Sequence, residues 1–202
     1  MKRHLTTALL FTAAADPASA HSPVKGIGIF YNGMLHPYLV PGHLLVLLAL
    51  GLMIGQHAPG SSRFALPTFL AAFVASAALA SMLPLVVLPE TILLVVSLLA
   101  GMMVAASIAP GVVLPILLAV TAGIVLGLNS SPEGVPSGQA GVALAGTVVG
   151  AFLGILYAGG LAAWLSRLPS WPPIAVRVVG SWTSASALLV LVLEYSKSGA
   201  AA

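Results

Sequence analysis

The chain is built from long apolar blocks separated by short stretches rich in proline, glycine and serine. Each block approaches the ~20 residues that an α-helix needs to cross the hydrocarbon core of a bilayer. Charged residues make up 5% of the chain and hydrophobic residues 59%, with a mean hydropathy of +1.11. A soluble domain has about a quarter charged residues, because its surface must be solvated. The pattern therefore predicts an all-α integral membrane protein.

The block boundaries predict a bundle of about six transmembrane helices in one domain, residues 21–202. Proline and glycine in the breaks disfavour continuation of a helix. The break near Pro84 is the weakest, because apolar residues follow it directly, and five or seven helices remain alternatives. The predicted spans are residues 36–56, 64–83, 86–108, 111–128, 140–164 and 173–193.

The first twenty residues have the pattern of a secretory signal peptide. A basic start at residues 1–4 precedes a short apolar stretch, residues 5–15, and a small-x-small cleavage site at residues 18–20. An uncleaved first span is the alternative, but about eleven apolar residues are too few to cross ~30 Å. Cleavage would leave His21 as the mature N-terminus, outside the cytoplasm. We therefore expect a multi-pass protein of a bacterial-type inner (cell) membrane, with both termini outside.

Several classes of function are excluded by composition. The sequence has no cysteine, which rules out disulfides and thiolate metal sites. Its net charge of +3 comes from few charges, and no basic run is present, so nucleic acid binding is not expected. The sequence shows no nucleophile–base pairing, phosphate loop or redox motif, and we predict that the protein is not an enzyme.

His36 and His43 are seven residues apart at the head of the first apolar block, which places both on one helical face. A polar side chain in hydrocarbon needs a partner or a task. In a straight helix they would be roughly 10 Å apart along the axis, too far for one ion with ligand nitrogens about 2 Å away. Pro41 removes a backbone donor and clashes one turn back, so residues 37–42 should kink or unwind.

Imidazole ligands suit nickel, cobalt, copper and zinc, and the pair therefore predicts a transition-metal site. The alternative is that His36 lies at the lipid–water interface and that His43 hydrogen-bonds a neighbouring helix. Glu90 should lie near the same end of the bundle, where it could ligate a metal or cap its helix. His21 with its free amine could chelate copper or nickel, or be an exposed terminus.

Three other polar residues are expected to have no metal role. His57 should be a solvated loop residue rather than an exit ligand for the metal, and Glu133 should be a solvated loop residue. Arg177 should be structural, paired with carbonyls at helix ends or with lipid phosphates.

These residues resemble a known family. His36-Pro37 followed by His43 resembles the first-helix motif His-Pro-x-x-Gly-x-Asp-His of the HupE/UreJ family, small membrane proteins implicated in nickel and cobalt uptake. Residues 89–101 resemble the block that opens a middle helix of the family, and residues 177–182 resemble its Arg-x-x-Gly-Ser-Trp signature. The resemblance spans nearly the whole mature chain. It implies a permease or channel for nickel or cobalt, with His36, His43 and Glu90 at an outward-facing site.

The chain also departs from the family pattern. Val40 stands where the motif has glycine, and Gly42 where it has aspartate. The family block His-Gly-x-Ala-x-Gly-x-Glu corresponds here to residues 122–129, which contain no histidine and end in Asn129. These losses leave two alternatives open: a non-transporting accessory subunit of a larger membrane complex, and a delivery or storage protein that binds metal without moving it. Besides the lipid bilayer, the expected partners are further copies of the chain or such a complex.

Overall fold

The computed structural model describes residues 26–57, 64–82, 88–109, 111–130 and 135–200. The predicted signal peptide, His21 and Glu133 lie outside these ranges. Within them the regular structure consists of seven α-helices and one short 3-10 helix, Ser137–Gln139. The α-helices are α1 (Ile29–Leu39), α2 (Pro41–Gln56), α3 (Ala65–Met82), α4 (Thr91–Ala106), α5 (Val113–Leu128), α6 (Ala140–Ser166) and α7 (Pro172–Ala200). The predicted all-α class is confirmed.

Helix length and composition fit a membrane-embedded protein. Among the described residues, α6 and the 172–196 part of α7 are each long and apolar enough to cross a bilayer. Helices α1 and α2 pass the same test only as a pair, and they are bent by 78° where they meet. Helices α3, α4 and α5 are apolar but shorter. The count of six crossings remains a prediction.

The break between α1 and α2 confirms the predicted interruption. Val40 is extended, with φ −97° and ψ 117°, and Pro41 is the first residue of α2. A residue before proline is sterically driven out of the helical region, and proline is well tolerated in a first turn. Pro37, by contrast, lies inside α1. The predicted span therefore starts earlier, at Ile29, and divides in two.

Helix α2 is the central helix and packs against α4, α6 and α7. Its buried residues include Val46, Leu50 and Met53, which have no exposed surface. Helices α2 and α4 run in the same direction, since Gly42 approaches Glu90 at their first turns and Gln56 Nε2 donates to the Val104 carbonyl, 3.1 Å away, at their last turns. We call the end of the bundle at the first turns of α2 and α4 the histidine end, and the end at their last turns the arginine end.

Helix α7 runs antiparallel to α4. Ser184 Oγ donates to the Leu98 carbonyl at 3.0 Å, and further toward the arginine end Arg177 Nε donates to the Ala105 carbonyl at 2.9 Å. Helix α4 begins at Thr91, and Pro89 disfavours helical geometry in Leu88 before it. Residue 86, which began the predicted span, lies outside the described residues.

Candidate metal site at the histidine end

The two predicted histidines lie next to each other across the helix break. Their ring centroids are 5.6 Å apart and the ring planes are inclined by 70°. Two imidazoles that share one tetrahedral ion, through nitrogens about 2 Å from it, have centroids roughly 5 Å apart. The 78° bend thus brings together two rings that a straight helix would separate by two turns, and their spacing suits a shared ion.

The two rings differ in exposure. His43, in the first turn of α2, is 1% exposed, whereas His36, in the last turn of α1, is half-buried. One imidazole is therefore held inside the bundle, while the other lies partly at its surface.

The carboxylate of Glu90 lies close to the residue before His43. A Cβ placed on Gly42 would be 3.4 Å from Glu90 Oε2 and 3.9 Å from Glu90 Cβ. Glu90 occupies the N-cap position of α4, yet its side chain makes no capping hydrogen bond. At the N-cap position its charge is still favourable for the helix dipole, and both roles that the sequence left open for Glu90 remain. The carboxylate lies close to the position at which the family motif has an aspartate.

Asn129, just after α5, holds the backbone that leads to Glu90. Its Nδ2 donates to the Leu88 carbonyl at 2.8 Å, and its Oδ1 accepts from the Leu88 N–H at 3.1 Å. This role of Asn129 was not predicted from the sequence. A terminal amide in an otherwise apolar helix was the available signal, because a polar side chain at membrane depth needs a partner.

Helix α1, which carries His36, is seated on α6 through glycines. A Cβ on Gly33 would collide with the Ala143 carbonyl, and one on Gly150 with the Met34 carbonyl. Such small residues let helix backbones approach closely in a membrane. Tyr38, two residues from His36, adds a 2.6 Å hydrogen bond from its hydroxyl to the Gly150 carbonyl.

At the arginine end, the predicted structural role of Arg177 agrees with its bond to the Ala105 carbonyl in the last turn of α4. His57 differs from expectation, because its Nδ1 is buried and makes no hydrogen bond. It directly follows the last turn of α2, where a Cβ on Gly55 would collide with the Gly159 carbonyl of α6.

The arrangement brings together two ligand types but not a complete coordination shell. Across the ranges that the structure describes, no three His, Asp, Glu or Cys side chains stand close enough to hold one ion. The His36–His43 pair is nevertheless formed, and the Glu90 carboxylate is near the residue that adjoins it. Backbone carbonyls of the last turn of α1 are additional oxygen donors at the break, because a helix leaves its final carbonyls without intrahelical partners.

Comparison with known proteins identifies a family. The family model described as HupE / UreJ protein matches residues 9–190. No curated protein and no solved structure matches the chain.

Proposed function

This chain belongs to the HupE/UreJ family, and from that premise we propose that it is a permease or channel for a divalent transition metal, nickel or cobalt. The observation that carries the proposal is the 5.6 Å separation of the His36 and His43 rings across the break at Val40. Paired imidazoles in a membrane-embedded, cysteine-free protein favour borderline metals of this kind.

Electrostatics at the break supports a cation as the substrate. The C-terminal end of α1 contributes partial negative charge next to the two histidines, and interrupted membrane helices often bind ions in this way. Glu90 contributes a formal negative charge, which offsets the cost of bringing a divalent cation out of water. In our proposal the histidine end faces outward, as the predicted signal peptide requires.

An incomplete shell is also suited to transport. An ion that must pass through a site has to bind strongly enough to enter and weakly enough to leave. We therefore propose that His36 and His43 capture the ion, that water and backbone carbonyls complete its shell, and that the nearby Glu90 carboxylate offsets its charge. A full cage of protein ligands would retain the ion.

The test is flux in reconstituted vesicles. Purified protein is placed in vesicles that contain a nickel-quenched dye, nickel is added outside, and the quenching rate is compared between wild type and His36→Ala/His43→Ala. We expect nickel-dependent quenching that falls to the rate of empty vesicles in the double variant. Equal rates in the two proteins would contradict the proposal.

Gly42, in place of the family's aspartate, favours a second candidate function, a non-transporting accessory subunit. This candidate predicts purification in a stoichiometric complex with another membrane protein and no flux in vesicles. A protein that binds nickel on its own but gives no flux would instead be a delivery or storage protein.

A further inference from the structure

Asn129 forms a two-point contact with a single distant residue. The amide donates to the Leu88 carbonyl at 2.8 Å and accepts from the Leu88 N–H at 3.1 Å, across 41 positions of sequence. We propose that Asn129 is a positioning residue, which fixes the segment before α4 and thereby places the Glu90 carboxylate beside Gly42, the residue before His43. This inference rests on the proposed function, because the position of Glu90 matters for transport only if the site binds the transported ion.

The position of Glu90 follows from that of Leu88. Only Pro89 separates them, and the proline ring fixes one of the backbone angles in between. On the other side, the Pro89 carbonyl accepts from Ile92 N at 3.1 Å, and the Glu90 carbonyl accepts from Leu94 N at 3.1 Å. The segment is therefore held by Asn129 at one end and by the first turn of α4 at the other.

The contact between Asn129 and Leu88 links separate parts of the helix bundle, which a hydrogen bond inside one helix would not do. Helix α5 packs mainly on α3, whereas α4 packs mainly on α2 and α7. Asn129 therefore joins the α3–α5 pair to the backbone that carries Glu90. Movement of the α3–α5 pair relative to α4 would therefore displace the Glu90 carboxylate.

The chemistry of the contact requires an amide. An ionised carboxylate can accept the Leu88 N–H but cannot donate to the Leu88 carbonyl. Residues 122–129 correspond to a family block that ends in glutamate. In this chain the position has a donor and an acceptor instead, which matches a structural role and not that of a charged ligand.

The first experiment measures position without metal. Glu90 Cβ lies 3.9 Å from the place of a Cβ on Gly42, within the range that disulfides require. The natural chain has no cysteine, so Gly42→Cys with Glu90→Cys would introduce the only two thiols. We expect rapid oxidation to an intramolecular disulfide, slowed about tenfold or more by Asn129→Ala or Asn129→Asp, because misplacement by ~1 Å strongly slows a reaction.

The control for that experiment is Ser130→Ala. Ser130 is the next residue, but its hydroxyl bonds only within α5 and the turn that follows, to the Leu126 carbonyl. It should leave the oxidation rate unchanged. Equal rates with and without Asn129 would overturn the inference, whatever the protein transports.

The second experiment measures nickel affinity in a double-mutant cycle. Asn129→Asp should weaken nickel binding about tenfold, as changes in residues that orient ligands commonly do. In a Glu90→Gln background the same change should have no further effect, because the residue acts through Glu90. An equal loss in both backgrounds would show a general structural role and overturn the inference. Absence of nickel binding by the wild type would instead count against the proposed function, and the oxidation rates would still decide the role of Asn129.

Discussion

The rings of His36 and His43 lie 5.6 Å apart although a straight helix would hold the residues roughly 10 Å apart along its axis. The single extended residue Val40 accounts for the difference, since it lets α2 leave α1 at 78°. The histidine pair is therefore a product of the break, and the break is a product of Pro41.

Replacing Pro41 by alanine tests that dependence. Alanine restores the backbone N–H and releases Val40 from its extended geometry, so α1 can continue into α2 and separate the rings. We expect nickel affinity to fall about tenfold, with helical content maintained or raised. Pro115→Ala is the matched control, because Pro115 lies in the first turn of α5, a helix that carries neither histidine. Unchanged nickel affinity in Pro41→Ala would show that the metal site does not depend on the helix break.

Gly150→Ala should displace α1. The added methyl group would meet the Met34 carbonyl, and relief of that overlap should cost about 1–3 kcal/mol of stability and weaken nickel binding. Gly160→Ala provides the control on the same helix, because a Cβ there has no atom within 4 Å. That variant should be neutral or more stable by up to ~1 kcal/mol. Thermal unfolding in detergent measures the stability of the two variants, and nickel titration measures their affinity for the metal.

Gly42→Asp should restore the acid of the family motif. Its Cβ would lie 3.4 Å from Glu90 Oε2, so two carboxylates would repel each other until a cation neutralises them. We expect lower stability without metal, nickel binding tightened roughly tenfold and a larger rise in melting temperature on adding nickel. Gly42→Ala adds the same Cβ without charge and should not tighten binding. Equal nickel affinities in Gly42→Asp and Gly42→Ala would contradict this prediction, because charge at residue 42 would then have no effect on nickel binding.

Arg177→Ala should affect stability but not metal binding. The substitution removes the hydrogen bond from Arg177 Nε to the Ala105 carbonyl at the arginine end, the opposite end from the histidines. We expect a loss of about 1 kcal/mol or less, because the side chain is exposed, with nickel affinity unchanged. A large fall in affinity would indicate coupling between the two ends.

The class of the protein, the break and the histidine pair were predictable because each depends on local sequence. Apolar composition identifies the membrane, Pro41 identifies the break, and the spacing of His36 and His43 identifies the pair. The role of Arg177 followed from the cost of a charge in lipid.

The tertiary contacts of Glu90 and Asn129 were not predictable in the same way. Glu90 meets Gly42 and Asn129 meets Leu88 only because helices distant in sequence pack side by side. That packing depends on backbone approach at glycines of several helices, which no single segment encodes.

Nickel bound per chain at equilibrium tests the central claim most directly. Full-length protein purified in detergent is dialysed against nickel, and the metal is measured by elemental analysis for wild type, His36→Ala/His43→Ala and the control His57→Ala. If His36 and His43 form one site, wild type and the control should bind about one ion per chain, and the double variant should bind at least tenfold more weakly. Equal binding by all three proteins would contradict the claim.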